Sequence, residues 1–177
     1  MNRIMIIGPG GAGKSTLART IGEQLNLPVF HLDAHMWQPN WVMTPRHEQR
    51  VIQERLLTAD QWVIDGNYSS TMDLRIAKAD TIIFLDINHR IALYQAVKRY
   101  MMYRNQVRPD MGVGCHEKID WEFIRWIWNY PKNQRPKVMS LLGNVSPGKE
   151  IIILKSPQQI EQFVQNGLNE HGPAQNE

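Results

Sequence analysis

Short apolar runs alternate with longer amphipathic stretches along the whole chain. Residues 3–7 are almost wholly apolar and stop at Gly8, which predicts a buried strand. Residues 15–25 follow with Leu17, Ile21 and Leu25 four apart, on one face of a helix. Residues 28–32 predict a second strand ending at Asp33, and 62–64 a third ending at Asp65 and Gly66. Residues 81–85 predict a fourth ending at Asp86, and 151–154 a fifth. Between them, Thr44 and Pro45 read as an N-cap and first helical residue, with Ile52, Leu56 and Ala59 as the inner stripe. Asn88 reads as the cap of a helix reaching about residue 103. Residues 105–118 read as a loop. Asp120 then caps a helix with Trp121, Ile124 and Trp128 on one side, stopped by Pro131. Residues 157–168 form the last expected helix.

Strands that alternate with helices predict an α/β fold, a parallel sheet with helices on both faces. Ligands of such sheets sit beyond the carboxyl ends of the strands. Asp33, Asp65, Asp86 and the loop after the first strand all fall at that edge.

Composition narrows the class without changing this picture. The 177 residues carry 42% hydrophobic and 21% charged side chains, as one ordinary globular domain does. We expect that domain to span residues 1–170, followed by a frayed polar tail at 171–177. The longest apolar runs are strand-sized, far short of the roughly 20 residues that span a bilayer, so no membrane partner is expected. The first residues lead directly into a strand and do not read as a signal peptide. A single cysteine, Cys115, excludes an internal disulfide and suits a reducing, cytoplasmic setting. The net charge of +3 permits a polyanionic partner without requiring one. Nothing in the chain sets its oligomeric state.

The first loop carries the clearest chemistry. Gly8-Pro-Gly-Gly-Ala-Gly13-Lys14-Ser15 matches G-x-x-x-x-G-K-[ST], between a strand and a helix. Glycines at Gly8, Gly10, Gly11 and Gly13, with the small Ala12, let backbone N–H groups curl inward onto phosphate oxygens. The helix N-terminus adds positive potential. Lys14 supplies a point charge for the β- and γ-phosphates, and Ser15 a hydroxyl for magnesium. The motif therefore predicts binding of ATP or a similar triphosphate with Mg2+.

Such a site needs a carboxylate on a neighbouring strand, and Asp65 fits that metal-supporting role. Asp33 suits another: orienting an acceptor hydroxyl, accepting its proton, or sharing the metal. Asp86 reads as a turn or capping residue. His31 and His35 flank Asp33, compatible with a metal cluster but more simply read as strand-end and loop residues. Lys98, Arg99, Arg104 and Arg108 precede or enter the loop, and Arg125, Lys132, Arg135 and Lys137 follow it. A lid closing over ATP needs such a set, with at least one arginine in the site; a solvated helix face accounts for some of them. The stretch 131–137 with its nearby tryptophans also suits a nucleic-acid patch, ranked second. Trp37 and Trp41 either stack on an acceptor ring or pack the lid, whereas Trp121, Trp126 and Trp128 read as core.

Taken together, residues 6–16, 31–33 (His-Leu-Asp), 62–68 (Trp-Val-Ile-Asp-Gly-Asn-Tyr), 83–86, 108–111 (Arg-Pro-Asp-Met) and 128–131 resemble the P-loop kinases related to adenylate kinase. More closely they are similar to the FlaR-type DNA topology modulation proteins. The resemblance spans about residues 3–168. It implies a three-layer P-loop NTPase fold, with five parallel strands in the order 2-3-1-4-5 and a lid at about 104–120. It implies ATP as phosphoryl donor and a small acceptor, a nucleotide or nucleoside among the candidates. By position, Gly13, Lys14, Ser15 and Thr16 match the phosphate-holding loop. Asp65 matches the aspartate of the Asp-Gly segment, Arg99 an arginine near the lid, and Lys155 the adenine-contacting loop. Arg99 or Arg104 is the residue expected to close over the transferring group. The chain departs from adenylate kinases at Ser69 and Met36, where those enzymes carry arginines that grip the acceptor phosphate. Arg46, Arg50 and Arg75 are the available substitutes. The expectation is an ATP-dependent kinase; the alternative is an ATP-dependent, DNA-associated regulator without efficient small-molecule turnover.

Overall fold

The computed structural model describes residues 1–168; the tail expected at 171–177 lies outside the described residues. Five strands form one parallel sheet: β1 (Arg3–Ile7), β2 (Val29–His31), β5 (Trp62–Asp65), β6 (Thr81–Leu85) and β7 (Glu150–Leu154). Two further strands, β3 (Trp37–Gln38) and β4 (Val42–Met43), make a small antiparallel hairpin. The sheet order is β2-β5-β1-β6-β7, which is the expected 2-3-1-4-5 when the hairpin is left out of the count.

The pleat explains why the strands read as unbroken apolar runs. Along β1, Ile4 and Ile6 enter one core with Val63, Ile83 and Leu85. Met5 and Ile7 enter the other, with Ile64, Ile82 and Phe84. A strand covered on both faces has no polar side to show. Each such fully buried side chain contributes about 2 kcal/mol. Register then sets the site: Ile6 lies level with Asp65, and His31 with Asp65, so these groups share one edge.

On one face, α1 (Lys14–Leu25) buries Leu17, Ala18, Ile21 and Gly22, and ends where Asn26 turns left-handed. The helix α5 (His89–Tyr103) begins at Asn88, whose side chain accepts from the Arg90 N–H as expected. The helix α6 (Trp121–Asn133) begins at Asp120, which accepts from the Phe123 N–H.

Four expectations are corrected. The most buried face of α3 (Arg46–Leu56) is Gln49, Gln53 and Leu56; Leu56 is as expected, whereas Ile52, and Ala59 beyond the helix, pack against the core only partly buried. Amide partners make this possible: Gln49 donates to the Thr44 carbonyl and Gln53 to the Thr71 hydroxyl. Thr44 itself is buried and makes no side-chain cap. Pro131 does not end α6, which runs on to Asn133; proline removes one N–H donor there, a cost that the flanking turns carry without breaking the helix. A further helix, α7 (Arg135–Gly143), follows at once. Finally, Trp121 and Trp128 are 72% and 51% exposed, since Ile127 and Tyr130 take the buried face.

Short elements escaped the pattern: α2 (Leu32–Met36), the hairpin and α4 (Met72–Lys78). The last expected helix is α8 (Pro157–Gln162), which passes into a π-helical turn, Phe163–Gly167. Among the described residues no helix is long and apolar enough to cross a membrane.

Candidate functional site

At the end of β1 the chain makes the glycine loop and enters α1. Gly11 has φ 78° and Gly13 φ 92°, conformations that favour glycine. Space is as restrictive as torsion. A Cβ on Gly11 would lie 2.1 Å from the Ala92 carbonyl oxygen of α5, and one on Gly10 would lie 2.6 Å from the Phe123 ring of α6. The loop is thus sealed from behind by two helices. Lys14 arches back and donates from Nζ to the carbonyls of Gly8 (3.0 Å) and Pro9 (2.9 Å). Burial lowers its pKa; Asp33 and Asp65 partly offset this, while Arg99 and Arg108 lower it further. Behind the loop, the Asn67 side chain accepts from the Gly8 N–H (3.1 Å) and donates to the Gly8 carbonyl (2.8 Å).

Ser15 Oγ donates to Asp65 Oδ2 at 2.9 Å, and His31 Nδ1 lies 2.5 Å from Asp65 Oδ1. Burial would lower the His31 pKa, but its hydrogen bond and attraction to Asp65 raise it overall. A hydroxyl and a carboxylate at a phosphate loop are hard oxygen donors of the kind magnesium takes, so the residues fit that ion. The histidine-rich metal cluster weighed from the sequence is not assembled. His31 serves Asp65, His35 packs edge-on against Phe30, and among the described residues no group of three or more His, Cys, Asp or Glu could hold a metal.

Across the cavity, Asp33 on α2 accepts from the Tyr68 hydroxyl at 2.7 Å. Burial and the Asp33 charge push the Tyr68 pKa far up, so the phenol stays a donor. Trp37 and Trp41 of the hairpin pack edge to face, centroids 5.4 Å apart. The backbone between β5 and α4 is held by Arg75, fully buried, which donates to the carbonyls of Gly66 (2.6 Å), Asn67 (2.6 Å) and Tyr68 (3.3 Å). Met36 is buried and Ser69 starts a short 3-10 turn. Of the proposed substitutes, Arg75 is consumed by these carbonyls. Arg50 pairs with Glu54 (3.1 Å) and Asp73 (3.9 Å) on the surface, and Arg46 is exposed.

The segment expected as a lid leaves α5 at Arg104 and returns to α6. Its two ends run side by side, Arg104 bridging to Glu117 and Val107 to His116. Its tip docks on the hairpin: Trp41 Nε1 donates to the His116 carbonyl (2.9 Å), and the Asn40 N–H to the Gly114 carbonyl (3.1 Å). Arg99 and Arg108 reach inward, where both meet Glu117, and Arg108 also pairs with Asp110 at 2.8 Å. Burial would raise the Asp110 pKa, but the Arg108 charge beside it holds it below the ordinary carboxylate range.

One cavity of about 1120 Å³ joins these parts. Its lining includes Gly10 to Thr16, Asp33, Trp37, Tyr68, Arg99 and Arg108. Arg104 and Lys155 are exposed and not among its lining residues, although Pro157 and Ile160 of α8 are. Asp86 is taken up by Arg135 through Nε (2.8 and 3.1 Å) and Nη2 (2.8 Å). Sequence reasoning missed Asn67, Tyr68, Asp110, Glu117 and Phe123 as site residues. Three of them lay inside motifs that carried the resemblance; Glu117 and Phe123 gave no local signal.

Solved structures share this fold. Shikimate kinase from Acinetobacter baumannii in complex with shikimate has 15% identity and a TM-score of 0.63, covering 97% of this chain and 93% of its own. Shikimate kinase from Bacteroides thetaiotaomicron has 19% identity and a TM-score of 0.57, covering 96% and 97%. A sugar kinase from Janibacter sp. has 14% identity and a TM-score of 0.52, covering 96% and 93%. At these identities the similarity concerns the fold, a P-loop NTPase architecture. No curated protein matches the chain. The family model for ATPases associated with various cellular activities (AAA) matches residues 4–102, more than half of the chain, so the chain belongs to that family.

Proposed function

We propose that the protein is an ATP-dependent kinase of the adenylate-kinase-related group, moving the γ-phosphoryl of ATP to a hydroxyl of a small acceptor. The observation that carries this reading is a single cavity running from the phosphate loop to Asp33. A donor phosphate and an acceptor hydroxyl can meet inside it, and phosphoryl transfer needs mainly such positioning and charge neutralisation. The amides of residues 10–13 and Lys14 hold the triphosphate, with Thr16 at the start of α1 beside them. Ser15 and Asp65 would hold Mg2+, which when bound offsets charge on the phosphate oxygens. Asp33, fixed by Tyr68, orients the acceptor hydroxyl and takes its proton as the oxygen attacks the γ-phosphorus and ADP leaves. Arg99 faces the developing charge. Arg104 would have to swing inward with the lid to share that role. The adenine end lies toward α8, near Lys155.

The acceptor is a small hydroxyl compound, a nucleoside or nucleotide among the candidates. The shared fold with a shikimate kinase and a sugar kinase supports hydroxyl acceptors in general. Arg46, Arg50 and Arg75 are engaged or turned away, which argues against an adenylate-kinase-like grip on an acceptor phosphate. The resemblance to FlaR-type proteins supports the alternative of a DNA-associated regulator in the cytoplasm. Its basic stretch at 131–137 loses Arg135 to Asp86, so we rank it second.

The test is ADP release from Mg-ATP across nucleosides, nucleotides and small alcohols. Acceptor-dependent release that Lys14→Ala abolishes is the expected result. Release unchanged in that variant would overturn the reading. Salt-sensitive DNA binding without any acceptor would favour the regulator instead.

A further inference from the structure

Glu117 is a buried acid, its side chain 1% exposed. Its backbone is pinned by the pairing of the lid's two ends, the Glu117 N–H donating to the Gln106 carbonyl at 2.8 Å. One carboxylate oxygen accepts from Arg99 Nε at 2.9 Å, and the other lies 2.6 Å from Arg108 Nε as a charge contact that lacks hydrogen-bond alignment. Arg108 Nη1 continues the chain to Asp110, so two cations and two anions share one cluster, buried except for Arg99. Burying three charges is not an efficient route to stability, because apolar side chains of similar volume do as well or better. The arrangement therefore calls for a reason beyond packing.

The stereochemistry supplies one. A guanidinium offers five N–H donors on a rigid plane. A carboxylate that takes the Nε side leaves terminal nitrogens for another anion. Arg99 lies over the Phe123 ring, 5.9 Å from its centroid, and that ring presses on Gly10 of the phosphate loop. Arg99 and Arg108 both line the cavity that contains the loop.

We propose that Glu117 is a positioning residue of this kinase, a carboxylate that accepts a hydrogen bond from Arg99 Nε and faces Arg108 as an ion pair, so that the remaining nitrogens of both arginines face the phosphates of bound ATP. The proposal rests on the kinase reading. Glu117 touches no substrate; it acts through the two arginines. It lowers the local positive charge, so it opposes ground-state phosphate binding slightly while fixing the geometry used in transfer. The charges of Arg99 and Arg108 already act on Lys14, consistent with their closeness to the loop.

Glu117→Gln keeps the volume and removes the charge. We expect kcat for ADP release to fall about tenfold to a hundredfold, while the Kd for Mg-ATP, measured by titration calorimetry, stays within about threefold or tightens. A kcat within threefold of the unaltered protein, or loss of ATP affinity in parallel with kcat, overturns the proposal. Should the variant not fold, arginine Nε–H resonances of the unaltered protein decide the matter. An Arg99 Nε–H protected from solvent exchange, and still protected with ADP bound, supports the clamp; exchange at the rate of exposed arginines overturns it. Failure of the kinase reading is separate: it shows as no acceptor-dependent ADP release from the unaltered protein, and the resonance measurement still judges the clamp.

Discussion

Two loops face each other across the cavity, and arginines hold both, by different chemistry. The loop after β5 is fixed by Arg75, whose donors end on three backbone carbonyls. The lid is fixed by Arg99 and Arg108, whose partners are the carboxylates of Glu117 and Asp110. Neutral carbonyls cannot be traded for a ligand without leaving buried oxygens unsatisfied, so the first loop is a rigid wall. Carboxylates share their cation with any incoming anion of matching geometry, so the second is suited to respond to phosphate. The difference lies in the partner, not in the arginine.

The comparison breaks first, and most visibly, at Arg75. Arg75→Met should cost about 3–5 kcal/mol, because three carbonyls lose a charged donor. For a chain of this size that lowers Tm by roughly 10 °C, read by calorimetry. A Tm within two or three degrees of the parent would deny the rigid wall. On the lid, Arg99→Met should show the opposite balance. Turnover should fall by about two orders of magnitude, some 2.7 kcal/mol, while thermal stability falls less than in Arg75→Met, because Arg108 still faces Glu117. Equal losses of stability and rate would make the two loops alike.

Smaller effects sharpen the picture. Tyr68→Phe removes the donor that orients Asp33 and should lower kcat about tenfold, with ATP affinity unaffected. Asp120 begins α6, the helix that carries Phe123 to the loop. Asp120→Ala should cost about 1 kcal/mol, the usual worth of a cap. Its pKa is lowered, first by the Phe123 N–H and further by Lys118, while the little burial it has opposes this. The folded form therefore favours the carboxylate. The cap's contribution is full above the ordinary value of 3.8 and is lost as pH falls through the depressed one. Acid titration of stability should show the Asp120→Ala difference shrinking below about pH 4. A difference constant down to pH 2 would assign the loss to something other than the charged cap.

Local patterning carried the sheet and the phosphate loop well. The apolar runs of β1, β5 and β6 are unambiguous because both faces are buried, and β7 reads as a run although it lies at the sheet edge with Ile151 exposed. Asn88 and Asp120 were legible as caps because capping is settled within a few residues. The failures have a common cause. Gln49 and Gln53 form the inner face of α3 because partners supplied by Thr44 and Thr71 satisfy their amides. Trp121 and Trp128 point outward because Ile127 and Tyr130 face the core. Neither outcome is written in helical spacing.

By itself the sequence determined the edge where the chemistry sits, for two reasons. A parallel sheet puts its ligands at the carboxyl ends of its strands, and glycines, lysine and serine at fixed spacing form a loop by local geometry alone. Only the tertiary structure decided which charges serve each other. Ser15 with Asp65, Asp33 with Tyr68, and Glu117 with Arg99 are 50, 35 and 18 residues apart. Electrostatics depends on distance through space and on burial, and a linear chain states neither until it folds.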